Sequence, residues 1–152
     1  MKPMITFLAC LICIQLFACN KNNKMTSSSM DTSNTDSMKL KITVGSNTFR
    51  ATLYNNTTTS SFKAQLPLTI NMTELNGNEK YFDLRNNLPA NSSNPVTIQT
   101  GDLMLYGSNT LVLFYKTFST PYNYTRLARI DNTAGLAAAL GEGNVTVKLE
   151  LE

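Results

Sequence analysis

From residue 38 onward, apolar and polar positions alternate with a period of two, the signature of strands with one face turned inward. Leu40, Ile42 and Val44 share one face of 38–44, and Phe49, Ala51 and Leu53 share one face of 48–54. Gly45-Ser46-Asn47 lies between them as a turn, so the two runs predict a hairpin. In 68–73, Leu68, Ile70 and Met72 point one way, and Thr69, Asn71 and Thr73 the other. Asn76-Gly77-Asn78 is a second turn signal, followed by a strand over 79–84. Further strands are predicted over 124–130 and 144–151; Val145, Val147, Leu149 and Leu151 face inward in the second.

One stretch breaks the alternation. In 101–115 Leu103 and Leu105 alternate with Met104 and Tyr106, and Leu111 and Leu113 alternate with Val112 and Phe114. Gly107-Ser108-Asn109 supplies the tight turn between the two runs. A strand with one wet face would be polar at every second place. One face of this hairpin therefore fills a core, and the other either lies under a covering segment or lines a groove.

Two short helices complete the pattern. The first is predicted over 60–66, behind the capping residues of 55–59, with Phe62 and Leu66 on one face and Pro67 as its stop. The second, 134–140, follows Asp131-Asn132-Thr133, pairs Leu136 with Leu140, and ends at Gly141. Segments 85–95 and 116–123 read as loops, the latter carrying Phe118 and Tyr122. Eight strands and two short helices predict a mainly β fold, a closed eight-stranded barrel whose open ends the helices cap.

This order resembles that of the cyclophilin barrel, and two blocks look like a bacterial cyclophilin-like domain family. One is Leu66-Pro67-Leu68-Thr69-Ile70-Asn71-Met72 with Asn76-Gly77-Asn78-Glu79-Lys80-Tyr81. The other runs from Gly101 through Gly107 to Phe114-Tyr115. The resemblance implies an outer groove on strands three to six, where true cyclophilins isomerise the bond before proline. They use a strand-three arginine and a strand-six phenylalanine, with a histidine and usually a tryptophan. Phe114 matches the phenylalanine. Strand three has no arginine and presents Asn71 outward, and the chain holds no histidine or tryptophan. Losing preorganised donors of the arginine kind typically costs roughly 10²–10³ in rate. The groove candidates are Asn71, Tyr81, Met104, Tyr106 and Phe114, expected to receive a peptide or a small ligand.

The chain begins differently. Residues 4–17 are nearly all apolar, too few to span a bilayer as a stable helix, and follow a single lysine. Leu16-Phe17-Ala18-Cys19 resembles a bacterial lipobox, which implies cleavage after residue 18 and a lipid on Cys19. Polar 19–37, rich in Asn, Ser, Thr and Lys, reads as a flexible tether. Asp36-Ser37-Met38 resembles the glycosylation triplet of Bacteroidetes envelope proteins. The expected organisation is a signal peptide over 1–18, a tether over 19–37 and the barrel over 38–152.

Composition narrows the chemistry. Without histidine, a Ser-His-Asp or Cys-His site is excluded. All three cysteines lie at or before residue 19, so no zinc site of cysteines falls in the barrel. No metal or cofactor is expected. Glu74, Glu79, Asp83 and Asp102 are candidate carboxylates for glycoside chemistry, though their spacing singles out no pair. From residue 38 there are ten Lys/Arg against eight Asp/Glu, too even a balance for a nucleic-acid surface. Arg50, Arg126 and Arg129 read as solvated face residues. The expectation is an envelope protein anchored through Cys19, at the outer membrane or periplasmic face, displaying a non-catalytic binding module. Weak prolyl isomerase activity through Phe114 and Asn71, or a purely structural role in an envelope complex, are the alternatives.

Overall fold

A computed structural model of the chain describes residues 38–152; the expected signal peptide and tether, with Cys19 and Ser37, lie outside the described residues. The elements in chain order are β1 (Lys39–Val44), β2 (Asn47–Leu53), α1 (Thr57–Lys63), β3 (Leu68–Leu75), β4 (Glu79–Asp83), β5 (Thr97–Ile98), β6 (Asp102–Tyr106), β7 (Thr110–Phe114), β8 (Phe118–Ser119), β9 (Tyr124–Ile130), α2 (Leu136–Leu140) and β10 (Val145–Leu151).

Eight of these strands close into an antiparallel barrel in the order β1-β10-β3-β4-β7-β6-β9-β2. Closure leaves no unpaired edge among them. Its interior is the predicted one: Leu40, Ile42, Val44, Phe49, Ala51, Leu53, Ile70, Met72, Leu103, Leu105, Leu111, Leu113, Val147 and Leu149 belong to one buried cluster. The helices lie at opposite ends of the barrel. α1 joins the end of β2 to the start of β3 and sends Phe62 into the core; α2 joins β9 to β10 and sends in Leu136 and Leu140. α1 starts and ends three residues earlier than the sequence suggested, at Thr57 and Lys63, so Leu66 and Pro67 lie beyond it. The Asn56 side chain accepts from the Thr59 N–H at 2.8 Å, so the cap falls before the threonines rather than among them. α2 starts two residues later than expected, because Asn132 Oδ1 accepts from the Ala134 N–H and Gly135 takes a left-handed φ of 79°.

Residues just past the 85–95 loop, together with the 116–123 loop, hold a feature that alternation does not reveal. β5 and β8, two residues each, pair as a separate antiparallel ribbon through Thr97↔Ser119 and Ile98↔Phe118. Ile98 and Phe118 pack on Met104, Val112, Phe114 and Tyr124, the outer faces of β6, β7 and β9. This ribbon is the cover that the doubly apolar hairpin calls for. The turn between β5 and β6 needs Gly101: its φ is 90°, and a Cβ there would stand 2.6 Å from the Thr133 methyl carbon.

Inside the barrel, next to α2, sits one charge. Lys80 follows the same period as Phe82 and Leu84 and is fully buried. Its ammonium bonds Glu74 and donates to the carbonyls of Gly141 (2.8 Å) and Gly143 (2.6 Å), using all three donors. Gly141 caps α2, so the cation also meets the negative end of that helix. The Tyr115 hydroxyl donates to Glu74 at 2.8 Å. Burial pushes the Glu74 carboxyl up, but bonds from Lys80, Tyr115 and the Gly77 N–H, with the Lys80 charge, outweigh it and hold the group below its ordinary value. Burial and the bond to Glu74 push Tyr115 up to about 12. A carboxyl that is more acidic when folded stabilises the protein above its unfolded pKa, and that stabilisation is lost as pH falls through the folded one. Glu74→Gln leaves the buried ammonium without its counter-charge and is expected to cost about 3–5 kcal/mol at pH 7 in urea unfolding. The difference from the parent should shrink in acid; a cost below about 1 kcal/mol at pH 7 would contradict the assignment.

Candidate functional site

The outer faces of β4, β7, β6 and β9 carry their side chains in rows set by the strand register. Asp83 pairs with Thr110, Thr110 with Tyr106, and Tyr106 with Tyr124. In the next row Tyr81 pairs with Val112 and Val112 with Met104; beyond it Glu79 lies opposite Phe114. The β5–β8 ribbon covers the Met104–Phe114 side and stops there. What remains open is a groove of about 440 Å³, lined by Leu75, Asn76, Glu79, Tyr81, Asp83, Tyr106, Thr110, Val112, Tyr122 and Tyr124.

Its chemistry is aromatic and acidic. Tyr106 meets Tyr122 edge-on at 6.2 Å between ring centroids and leans on Tyr124 at 5.5 Å. Tyr124 in turn meets Phe114 edge-on at 5.5 Å, which anchors the tyrosine wall in the covered outer core. Asp83 is exposed and accepts from the Thr110 hydroxyl at 2.7 Å. Glu79 is half-buried, and among the described residues no cation or hydrogen-bond donor partners its carboxylate. Burial, then the Glu74 charge, push its pKa up. Burial and the Glu79 charge likewise push the Tyr124 hydroxyl up.

The five groove candidates separate. Tyr81 and Tyr106 line the groove. Met104 and Phe114 are almost wholly buried beneath Ile98, Phe118 and Tyr124, so they form the covered floor beside the groove and meet no solvent. Asn71 is exposed on β3 opposite Thr146 of β10 and does not line the groove. Leu75, Asn76, Thr110, Val112, Tyr122 and Tyr124 also line the groove, and none of them is among the groove candidates read from the sequence. The spacing of Tyr122 and Tyr124 was the available signal, since residues two apart in extended chain share a side.

The other charged candidates have structural partners. Asp102 is fully buried and accepts from the Gln99 N–H at 2.9 Å. Arg50 bonds Glu152 at 2.6 Å, Arg126 lies 6.0 Å over the Tyr54 ring, and Arg129 stands 3.9 Å from Asp102. None of the three lines the groove. Glu79 and Asp83 are four strand positions apart, about 13 Å along the backbone. A glycosidase carboxyl pair works at roughly 5–9.5 Å.

The architecture is that of a closed antiparallel barrel with an open, tyrosine-lined groove on its outer wall. The family model of the cyclophilin-like family matches residues 42–150, and the chain belongs to that family. The solution structure of a hypothetical protein from Archaeoglobus fulgidus is similar at 21% identity and a TM-score of 0.56, covering 75% of this chain and 94% of that one. That likeness concerns the fold. The comparison with curated proteins finds no match.

Glu79 carries a direct consequence for stability. A carboxyl whose folded pKa is raised binds its proton more tightly in the folded state, so stability falls as pH rises through that window and stays lower above it. Glu79→Gln is therefore expected to raise the urea midpoint at pH 7, with the gain fading as pH is lowered through the Glu79 titration. A lowered midpoint at pH 7 would show that the carboxylate has a stabilising partner.

Proposed function

We propose that the protein is a membrane-anchored lipoprotein whose barrel binds a peptide or small ligand in the tyrosine groove without catalysis. The observation that carries this is where exposed apolar surface collects. Among the described residues six large hydrophobic side chains are exposed, and Leu75, Tyr106 and Tyr122 all line this one groove. Tyrosines offer large contact area with few torsions to freeze, a composition typical of recognition surfaces. The volume is in the usual range for ligand sites.

Two features favour binding over isomerisation. The phenylalanine at the position of the family's groove residue is buried under Phe118 and Tyr124, out of reach of a substrate proline. The groove lining includes no guanidinium to stabilise a twisted amide. The lipobox-like Leu16-Phe17-Ala18-Cys19 and the polar stretch after it support an anchor that holds the barrel off the membrane.

Tyr106→Ala with Tyr122→Ala removes two exposed rings. It is expected to weaken binding of groove-selected peptides at least about tenfold, read by isothermal titration, while the urea midpoint barely moves. Protease-coupled turnover of a proline peptide that disappears in Phe114→Ala, with urea unfolding showing that the variant is still folded, would instead establish the isomerase. For the anchor, Cys19→Ser is expected to abolish metabolic fatty-acid labelling and release the protein from the membrane fraction. Persistent labelling would rule lipidation of Cys19 out.

A further inference from the structure

The groove described above has a definite charge preference, and this inference rests on the reading of that groove as a binding site. Four of its ten lining residues are tyrosines and two are carboxylates, and none is lysine or arginine. The chain as a whole carries a net charge of +3, so the groove runs against the sign of the molecule. Elsewhere on the barrel most carboxylates meet cations: Glu74 with Lys80, Asp102 with Arg129 at 3.9 Å, Asp131 with Lys39 at 3.0 Å, Glu150 with Lys41 at 3.0 Å and Lys148 at 2.8 Å, and Glu152 with Arg50, Glu142 after α2 being the exception among the described residues. Glu79 and Asp83, both in the groove, have no such partner among the described residues.

We propose that the groove takes the basic side chain, lysine or arginine, of an extended peptide, with Glu79 as the counter-charge and the tyrosine rings packing along its stem and cation. Tyrosine rings attract a cation at close range, and Tyr81, Tyr106 and Tyr122 are the more exposed rings of the lining. Lysine and arginine also carry a long apolar stem, which suits the mixed lining of Leu75, Val112 and ring faces. Of the two carboxylates, Glu79 is the receiver. It is half-buried and without a partner, whereas Asp83 is exposed and already accepts from Thr110. A charge pair formed in the partly desolvated end of the groove gains more than one formed at its open end. Asp83 contributes a longer-range negative potential that salt screens. Complementary charge is what commits the occupant to a basic peptide rather than to an acidic or neutral one.

The test uses the barrel with its tether and a set of eight-residue peptides identical except at one central position. That position is lysine, arginine, norleucine, glutamine or glutamate, and n-butylammonium serves as the free cation. Binding is read from backbone amide shifts of groove residues. Lysine or arginine peptides are expected to bind about tenfold tighter than norleucine, with glutamate weakest. In Glu79→Gln the lysine-to-norleucine ratio should fall to about threefold or less, while Asp83→Asn should change it by less than a factor of about two at physiological salt. The proposal is overturned if norleucine binds within twofold of lysine, or if Glu79→Gln keeps the full ratio. Free butylammonium binding as tightly as the lysine peptide would overturn the peptide as occupant. Binding that ignores charge sinks this inference and leaves the binding module standing; no shift with any peptide or amine sinks both.

Discussion

A hairpin that is apolar on both faces must be buried on both faces, and that requirement shapes this molecule. Leu103, Leu105, Leu111 and Leu113 fill the barrel; Met104, Val112 and Phe114 point outward and would form an exposed apolar patch if left bare. The β5–β8 ribbon lies over them with only two residues per strand. It is too short to cover the whole outer wall. The groove begins where the ribbon ends, and Tyr124 belongs to both, packed on Phe114 on one side and on Tyr106 on the other. The groove is thus the uncovered remainder of a second, outer core.

Neighbours on β4 show how one strand serves the core on one face and the groove on the other. Pleating sends Lys80 into the barrel and Glu79 out of it. The inward charge finds a carboxylate and two carbonyls, and every donor is used. The outward charge shares the groove with four tyrosines and meets no cation among the described residues. The first arrangement holds the α2–β10 connection against the β3–β4 hairpin. The second is a carboxylate whose burial costs free energy in the unliganded protein, the kind of local penalty that binding sites carry and that the rest of the fold offsets.

The barrel was legible because period-two alternation is clear in β1, β2, β3 and β10 and because the β6–β7 hairpin within 101–115 is so plainly apolar. The helices were legible from Phe62 and from the Leu136–Leu140 pair; their starts moved to where Asn56 and Gly135 set caps that composition does not rank, and α1 also ends early, at Lys63, which leaves Leu66 beyond it. The ribbon was not legible, since two-residue strands are too short to show a period. Lys80 was hidden by its type: a lysine reads as surface unless its period is followed strictly through Phe82 and Leu84. At the groove, Tyr81 and Tyr106 could be placed from alternation. Met104 and Phe114 could not be told from groove residues, because an outward side chain in a strand is open or covered according to a distant segment. Asn71 came from the family's strand-three position, which here faces solvent beside β10.

The most direct measurement is an isotope-filtered NOE experiment on the barrel bound to a lysine-bearing peptide. The account expects contacts from the lysine ε-methylene protons to the rings of Tyr81, Tyr106 and Tyr122, and to the Glu79 γ-methylene. Contacts confined to the β3–β10 wall around Asn71, or a lysine side chain left in solvent while the peptide binds, would contradict it.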